Sequence, residues 1–308
     1  MNASDINGMI PATVLPMRPD FAPDLTAYRA YLEWLISQKA LAFAVNMDTG
    51  EGPQLTAAEK LDVVKVAAEV ARGRLPVLAG LMGSTTADAV ALAQRYAEAG
   101  ADGLVVFPNA AFRNAPLDPR IPVHYHRAIA EGSGLPLVLF QLAPVFGGVI
   151  YTRETLLDLL ALPQVIGIKE ASFDAQSFSS TVETLACVKR PITLLTGNDR
   201  FITESFLLGA TGALLGFAAI GCGLVAGQIA ALHAGDFKGL AESRARVQTF
   251  ADHIYRDPVL DYRARCKAAL ARIGVIDAAC IHVRPPLFHV PDDEFPALDE
   301  ALRRAGLL

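Results

Sequence analysis

The chain has 308 residues (32.8 kDa), is 52% hydrophobic and 19% charged, and has a mean hydropathy of +0.34. That is enough apolar material for one large domain or two ordinary ones, and too much for a disordered chain. A net charge of −5, a pI near 5.7 and no basic run longer than Arg303-Arg304 argue against nucleic acid as a partner.

Short Val/Ile/Leu runs predict strands, and 3.6-period patterns between them predict helices. Gly8–Leu15 and Leu41–Asn46 read as strands. Thr56–Ala71 reads as a helix, opening with Thr56 and Glu59 at capping-box spacing. Strand Leu75–Ala79 follows, then helix Thr86–Ala99 stopping at Gly100, strand Gly103–Phe107 and helix Pro119–Glu131. The series goes on with strand Leu137–Gln141, helix Thr152–Leu160, strand Val165–Ile168, helix Asp174–Lys189, and strands Ile192–Thr196 and Gly212–Gly216. Only helices come after: Leu224–Ala234, Phe237–Tyr255, Pro258–Ile273 and Asp292–Ala305.

Near-continuous apolar strands are those of a parallel sheet buried on both faces. Eight of them alternating with helices predict an α/β fold, a (β/α)8 TIM barrel over residues 1–223. Residues 224–308 form a C-terminal helical extension packed on it as one unit. A doubly wound sheet is the rival, but no GxGxxG follows the first strand. No Asp, Glu, Lys or Arg occurs from Ser205 to Gly235, long enough for a membrane span. Gly209, Gly212, Gly216, Gly221, Gly223 and Gly227 break that stretch and no basic anchor flanks it, so a buried strand and helix fit better. Cys187, Cys222, Cys266 and Cys280 are far apart and read as reduced thiols. With no basic-then-apolar start, the expectation is a cytoplasmic protein without a signal peptide or membrane partner.

Active sites of such barrels lie at the C-terminal ends of the strands. Of seven lysines, only Lys169 ends an apolar strand, in Val165-Ile166-Gly167-Ile168-Lys169-Glu170. A desolvated amine there is a nucleophile toward ketones; a lysine snorkelling from the strand end, or paired with Glu170, is the open alternative. Asn46-Met47-Asp48-Thr49-Gly50-Glu51-Gly52 after strand two has the glycines and hydroxyl to cradle a carboxylate, or is plain turn chemistry. His124 and His126 sit on different helix faces, so no metal site is expected.

The order of these pieces resembles the dihydrodipicolinate synthase/N-acetylneuraminate lyase family along essentially the whole chain. The matching segments are Gly8-Met9-Ile10-Pro11-Ala12-Thr13, Asp48-Thr49-Gly50-Glu51, Gly167-Ile168-Lys169-Glu170-Ala171-Ser172, Thr196-Gly197-Asn198-Asp199, Gly209-Ala210-Thr211-Gly212 and the terminal Arg304-Ala305-Gly306-Leu307-Leu308. The resemblance implies a Schiff-base lyase, with Lys169 forming an imine with pyruvate or a pyruvate-derived 2-oxo acid and no cofactor. It implies substrate contacts at Thr49, Gly50, Phe140, Gln141 and Gly212, and a homo-oligomer, dimer or tetramer.

Departures from the family pattern bear on the chemistry. Asp48 replaces the first threonine of the usual Gly-Thr-Thr-Gly-Glu, a proton-relay member. Phe140 replaces the relay tyrosine, and a phenyl ring carries no proton. Asp48, flanked by apolar or glycine residues, is therefore the expected base. The synthases' arginine for a second carboxylate is missing from Ala143-Pro144-Val145-Phe146-Gly147-Gly148, unless Arg113 or Arg153 reaches in. With Phe112 and Phe146, Phe140 suggests an apolar mouth and a substrate other than that of the lysine-pathway synthase. The alternative is a catalytically silent sensor of 2-oxo acids. A phosphate-binding barrel ranks last, because the glycine-rich loop near strand eight has no basic residue.

Overall fold

In a computed structural model, which describes residues 1–113 and 117–308, every predicted strand appears, shifted by a few residues at its ends. They are β1 (Met9–Pro11), β2 (Phe43–Val45), β3 (Val77–Leu81), β4 (Gly103–Val106), β5 (Leu137–Leu142), β6 (Val165–Ala171), β7 (Thr193–Thr196) and β8 (Gly212–Leu215). All ladders are parallel, in the order β1-β8-β7-β6-β5-β4-β3-β2. The Ala12–Ala44 bridge, with Thr13 N–H donating to the Ala44 carbonyl at 3.0 Å, brings β1 beside β2 and closes the barrel. β1 covers only three residues of its apolar run. β6 is longer than expected, so Lys169 lies within the strand rather than at its end.

The helices are α1 (Leu25–Ser37), α2 (Ala57–Ala71), α3 (Thr86–Glu98), α4 (Arg120–Ser133), α5 (Arg153–Leu160), α6 (Ala175–Leu185), α7 (Ile202–Leu208), α8 (Ala218–His233), α9 (Phe237–Ile254), α10 (Tyr262–Arg272) and α11 (Phe295–Ala305). α2 starts with the expected capping box of Thr56 and Glu59. α1 and α7 were not among the predicted helices. α1 buries Tyr28, Tyr31, Leu32 and Leu35, and its three aromatics weaken the propensity signal. The charge-free stretch resolves into β8 and α8, and no described helix is long and apolar enough to cross a membrane. The boundary expected at 223/224 falls inside α8, just after its kink at Gly221.

Strand alternation divides the apolar residues into two cores. One joins the strands' outer faces to the helices; the other fills the barrel with Ile10, Ala44, Leu78, Val105, Val138 and Leu214. Phe107 and Phe140 belong to the inner core, near the C-terminal ends of β4 and β5. They form the floor on which the mouth is built.

Candidate active site

Lys169 sits in the middle of the β5–β6–β7 ladder, opposite Phe140 on one side and Leu195 on the other. It is 8% exposed, and its Nζ lies 4.2 Å from the centroid of the Phe140 ring. Burial holds its pKa down to about 8, against the opposing pull of the Asp199 and Asp48 carboxylates. At neutral pH about a tenth of the amine is then unprotonated, against well under a thousandth for an ordinary lysine. Gly197 lets β7's exit pass close by: a Cβ there would stand 2.7 Å from Lys169 Cε.

The loop after β2 forms a tight 3-10 turn over Asp48–Gly50. Gly50 and Glu51 N–H are spent on the Met47 and Asp48 carbonyls, leaving those of Asp48 and Thr49 at the open end of the turn. Thr49 faces the cavity, with Oγ1 3.5 Å from the Tyr262 hydroxyl. Gly50 does not face it; the residue is packed behind the turn against the Thr13 carbonyl. Glu51 takes the left-handed conformation (φ +56°) and is fully buried. Its carboxylate accepts from Lys267 Nζ at 2.5 Å and from the Arg284 N–H at 2.8 Å. The Thr-Gly-Glu motif thus anchors the loop to the C-terminal helices.

The apolar surroundings expected for Asp48 are absent. Its side chain is 41% exposed and faces Arg263 Nη2 at 3.6 Å, while Arg263 Nε donates to the Asp48 carbonyl at 2.6 Å. Arg263 lies on α10, more than two hundred residues away in sequence, where no local pattern points to Asp48.

A second carboxylate closes in from the other side. Asp199 follows β7, is 6% exposed, and its Oδ1 accepts the Phe217 N–H at 2.8 Å. Burial raises its pKa to about 6 although Lys169 and the Phe217 N–H pull it down. The Tyr255 hydroxyl acts on this carboxylate, lowering its pKa, and the Tyr255 ring stacks on Tyr262 at 4.8 Å. At Gly216 a Cβ would come within 2.2 Å of the Tyr255 oxygen and 2.9 Å of Thr49 Oγ1, so only glycine admits both groups. The neighbouring Asn198 Nδ2 donates to Glu170 Oε2 at 2.8 Å, which occupies the alternative partner once considered for Lys169.

These groups surround a cavity of about 550 Å³. One wall is Phe107, Phe140, Leu142, Val145, Phe146 and Phe173; the other carries Asp48, Thr49, Asp199, Arg200, Tyr255 and Arg263. Lys169, Asp48, Thr49 and Phe140 therefore meet around one cavity, while Gln141, Gly212 and Phe112, like Gly50, do not join them. Gln141 points outward, because neighbours on a strand face opposite ways. It is buried with Nε2 donating to Thr181 at 2.9 Å and Oε1 accepting from Tyr151 N–H. Gly212 begins β8, at the barrel's opposite end, and Gly216 takes the place at the mouth. Phe112 packs against Tyr125 instead of the cavity. Of the two arginines named as reaching in, Arg113 stops near Gly147 and Arg153 donates to Cys187 Sγ; neither lines the cavity. Asp199 stood in a segment noticed in the sequence without a role, whereas Tyr255, Tyr262 and Arg263 carried no local signal.

The dihydrodipicolinate synthetase family model matches residues 5–305. The chain belongs to that family. It is an enzyme of the class I, Schiff-base lyase or aldolase type. Among its relatives is the 4-hydroxy-tetrahydrodipicolinate synthase of Azoarcus sp., 28% identical over 98% of this chain and 99% of that one. The enzyme of the same name from Methylobacterium radiotolerans is 30% identical over 100% and 98%. Among solved structures, the dihydrodipicolinate synthase of Acinetobacter baumannii with pyruvate superposes with a TM-score of 0.85 at 25% identity, covering 98% of this chain and 100% of that one. The synthase of Thermotoga maritima gives 0.87 at 22%, covering 98% and 99%.

Proposed function

We propose that Lys169 attacks the ketone of pyruvate or a pyruvate-derived 2-oxo acid, and that the resulting imine is the sink for cleaving or forming a bond at C3. The observation that carries this is a lysine buried in the barrel mouth with its pKa brought down to about 8. Loss of water from the carbinolamine gives the iminium, which draws electrons from the C3 bonds. The Thr49 hydroxyl, with the Asp48 and Thr49 N–H groups, is placed to take the substrate's carboxylate. Two carboxylates, Asp48 and Asp199, are within the cavity to move protons.

The partner substrate is not that of the lysine-pathway synthases, whose aldehyde bears its own amine and carboxylate. Val145 and Phe146 stand where an arginine would grip that second carboxylate, and Arg263 is already committed to Asp48. The aromatic wall suits a bulkier or less charged fragment, and 550 Å³ leaves ample room beyond three pyruvate carbons. The test assays condensation of pyruvate with aspartate semialdehyde beside retro-aldol cleavage of neutral-tailed 4-hydroxy-2-oxo acids. Cleavage is expected to win by at least about tenfold in kcat/KM. Condensation with kcat/KM above about 10⁴ M⁻¹s⁻¹ would overturn the substrate assignment.

A further inference from the structure

An imine at Lys169 is productive only if something moves the proton at C3, and Phe140 offers none. Among the described residues, the titratable or charged side chains lining the cavity are Asp48, Lys169, Asp199, Arg200, Tyr255, Tyr262 and Arg263. The arginines hold their protons at any working pH, and both tyrosines are pushed up by burial. That leaves the two aspartates.

Asp48 is half-exposed at the rim, and its carboxylate faces the Arg263 guanidinium at 3.6 Å. Asp199 differs on each count. It is buried, and Oδ1 is pinned by the Phe217 N–H, so its orientation is fixed before substrate enters. Asp199 is also the first charge felt by Lys169, ahead of Asp48. Around it lie Lys169 from β6, Tyr255 after α9 and Cys266 on α10. Gly216 opens the gap into which the Tyr255 hydroxyl projects, next to the Phe217 N–H that holds Asp199.

We infer that Asp199 is the catalytic base at C3, and that Tyr255 is its positioning residue. It rests on the imine proposed above. In the step itself the C3–H bond breaks and its electron pair becomes the C2=C3 bond. The C=N pair moves onto the Lys169 nitrogen, neutralising the iminium, and the proton goes to the Asp199 carboxylate. Iminium and carboxylate thus become enamine and carboxylic acid, and the reverse returns the proton. The proton is then handled on the β7 side and by the C-terminal helices, not at the Asp48 and Phe140 positions after β2 and on β5.

The step can be followed without knowing the aldehyde partner. Pyruvate in D2O is incubated with enzyme, loss of the methyl proton signal is read by NMR, and borohydride trapping on Lys169 is measured in parallel. Asp199→Asn keeps an oxygen for the Phe217 N–H, so it is expected to trap pyruvate normally while exchange falls about 100-fold or more. Tyr255→Phe is expected to retain exchange with its acid limb moved to higher pH, because the lost hydroxyl had lowered Asp199's pKa. A purely structural tyrosine would lower the rate without moving the limb. Exchange within about threefold of wild type in a trapping-competent Asp199→Asn, loss of trapping in that variant, or loss of exchange only in Asp48→Asn would overturn the assignment. Failure of the wild type to trap would instead refute the imine itself.

Discussion

At Lys169 burial and charge pull in opposite directions, and burial wins. The folded protein therefore carries a cost for holding this ammonium that the unfolded chain does not. The folded pKa of about 8 lies below the ordinary lysine value of 10.5, so the unfolded chain binds more protons between these two values. The penalty is full below pH 8, fades as pH rises toward 10.5, and is absent above. Lys169→Met is expected to gain about 1–3 kcal/mol in urea unfolding at pH 7, with the gain vanishing above about pH 10.5. Function has the mirror dependence. Only the neutral amine attacks, so imine formation with pyruvate should rise about tenfold from pH 6 to 7 and level off above about pH 8. Stopped-flow absorbance or quenched trapping reads both limbs; a rate that is flat from pH 6 to 8 would contradict the buried amine.

Among the elements, the loop after β2 and helix α10 are joined by the buried Glu51–Lys267 pair. Removing one partner strands the other's charge in the core, so Lys267→Met is expected to cost about 3–5 kcal/mol in chemical denaturation. Adding Glu51→Gln should recover a substantial part of that loss. The pair also shows what a sequence can and cannot disclose. Strands buried on both faces leave runs such as Val165–Ile168, and these placed the barrel and Lys169. Gln141 was misplaced although the signal was available, since Phe140 and Gln141 are strand neighbours and only one can face the cavity. Gly212 was misplaced because the glycine-rich segment around β8 offers several candidates of equal local chemistry. Tyr255 follows α9 and Tyr262 and Arg263 open α10, and what they touch is fixed by packing across most of the chain length.

For the whole molecule, the C-terminal extension completes the site. Tyr255, Tyr262 and Arg263 line the cavity from it, and Arg284 ties it to the barrel through Glu59 and the Gln54 carbonyl. The Arg284 guanidinium holds the Glu59 carboxyl at a pKa of about 2, below the ordinary glutamate value of 4.5. The sign is that of a depressed carboxylate: stability is gained above pH 4.5 and lost as pH falls through about 2. Arg284→Ala is expected to cost about 1–2 kcal/mol at pH 7, and the deficit should shrink steadily below pH 4. Urea midpoints of both proteins across that range check it, and a deficit independent of pH would show that Arg284 acts through packing alone.

The central claim is that Lys169 forms a covalent imine with a 2-oxo acid, and one measurement meets it directly. The protein is incubated with pyruvate, reduced with borohydride, digested and mapped by tandem mass spectrometry, with Lys169→Arg treated alongside. The account predicts the reduced pyruvyl adduct on the peptide containing Lys169, and none in the variant. An adduct on another lysine, or no adduct in the folded wild type, would contradict it.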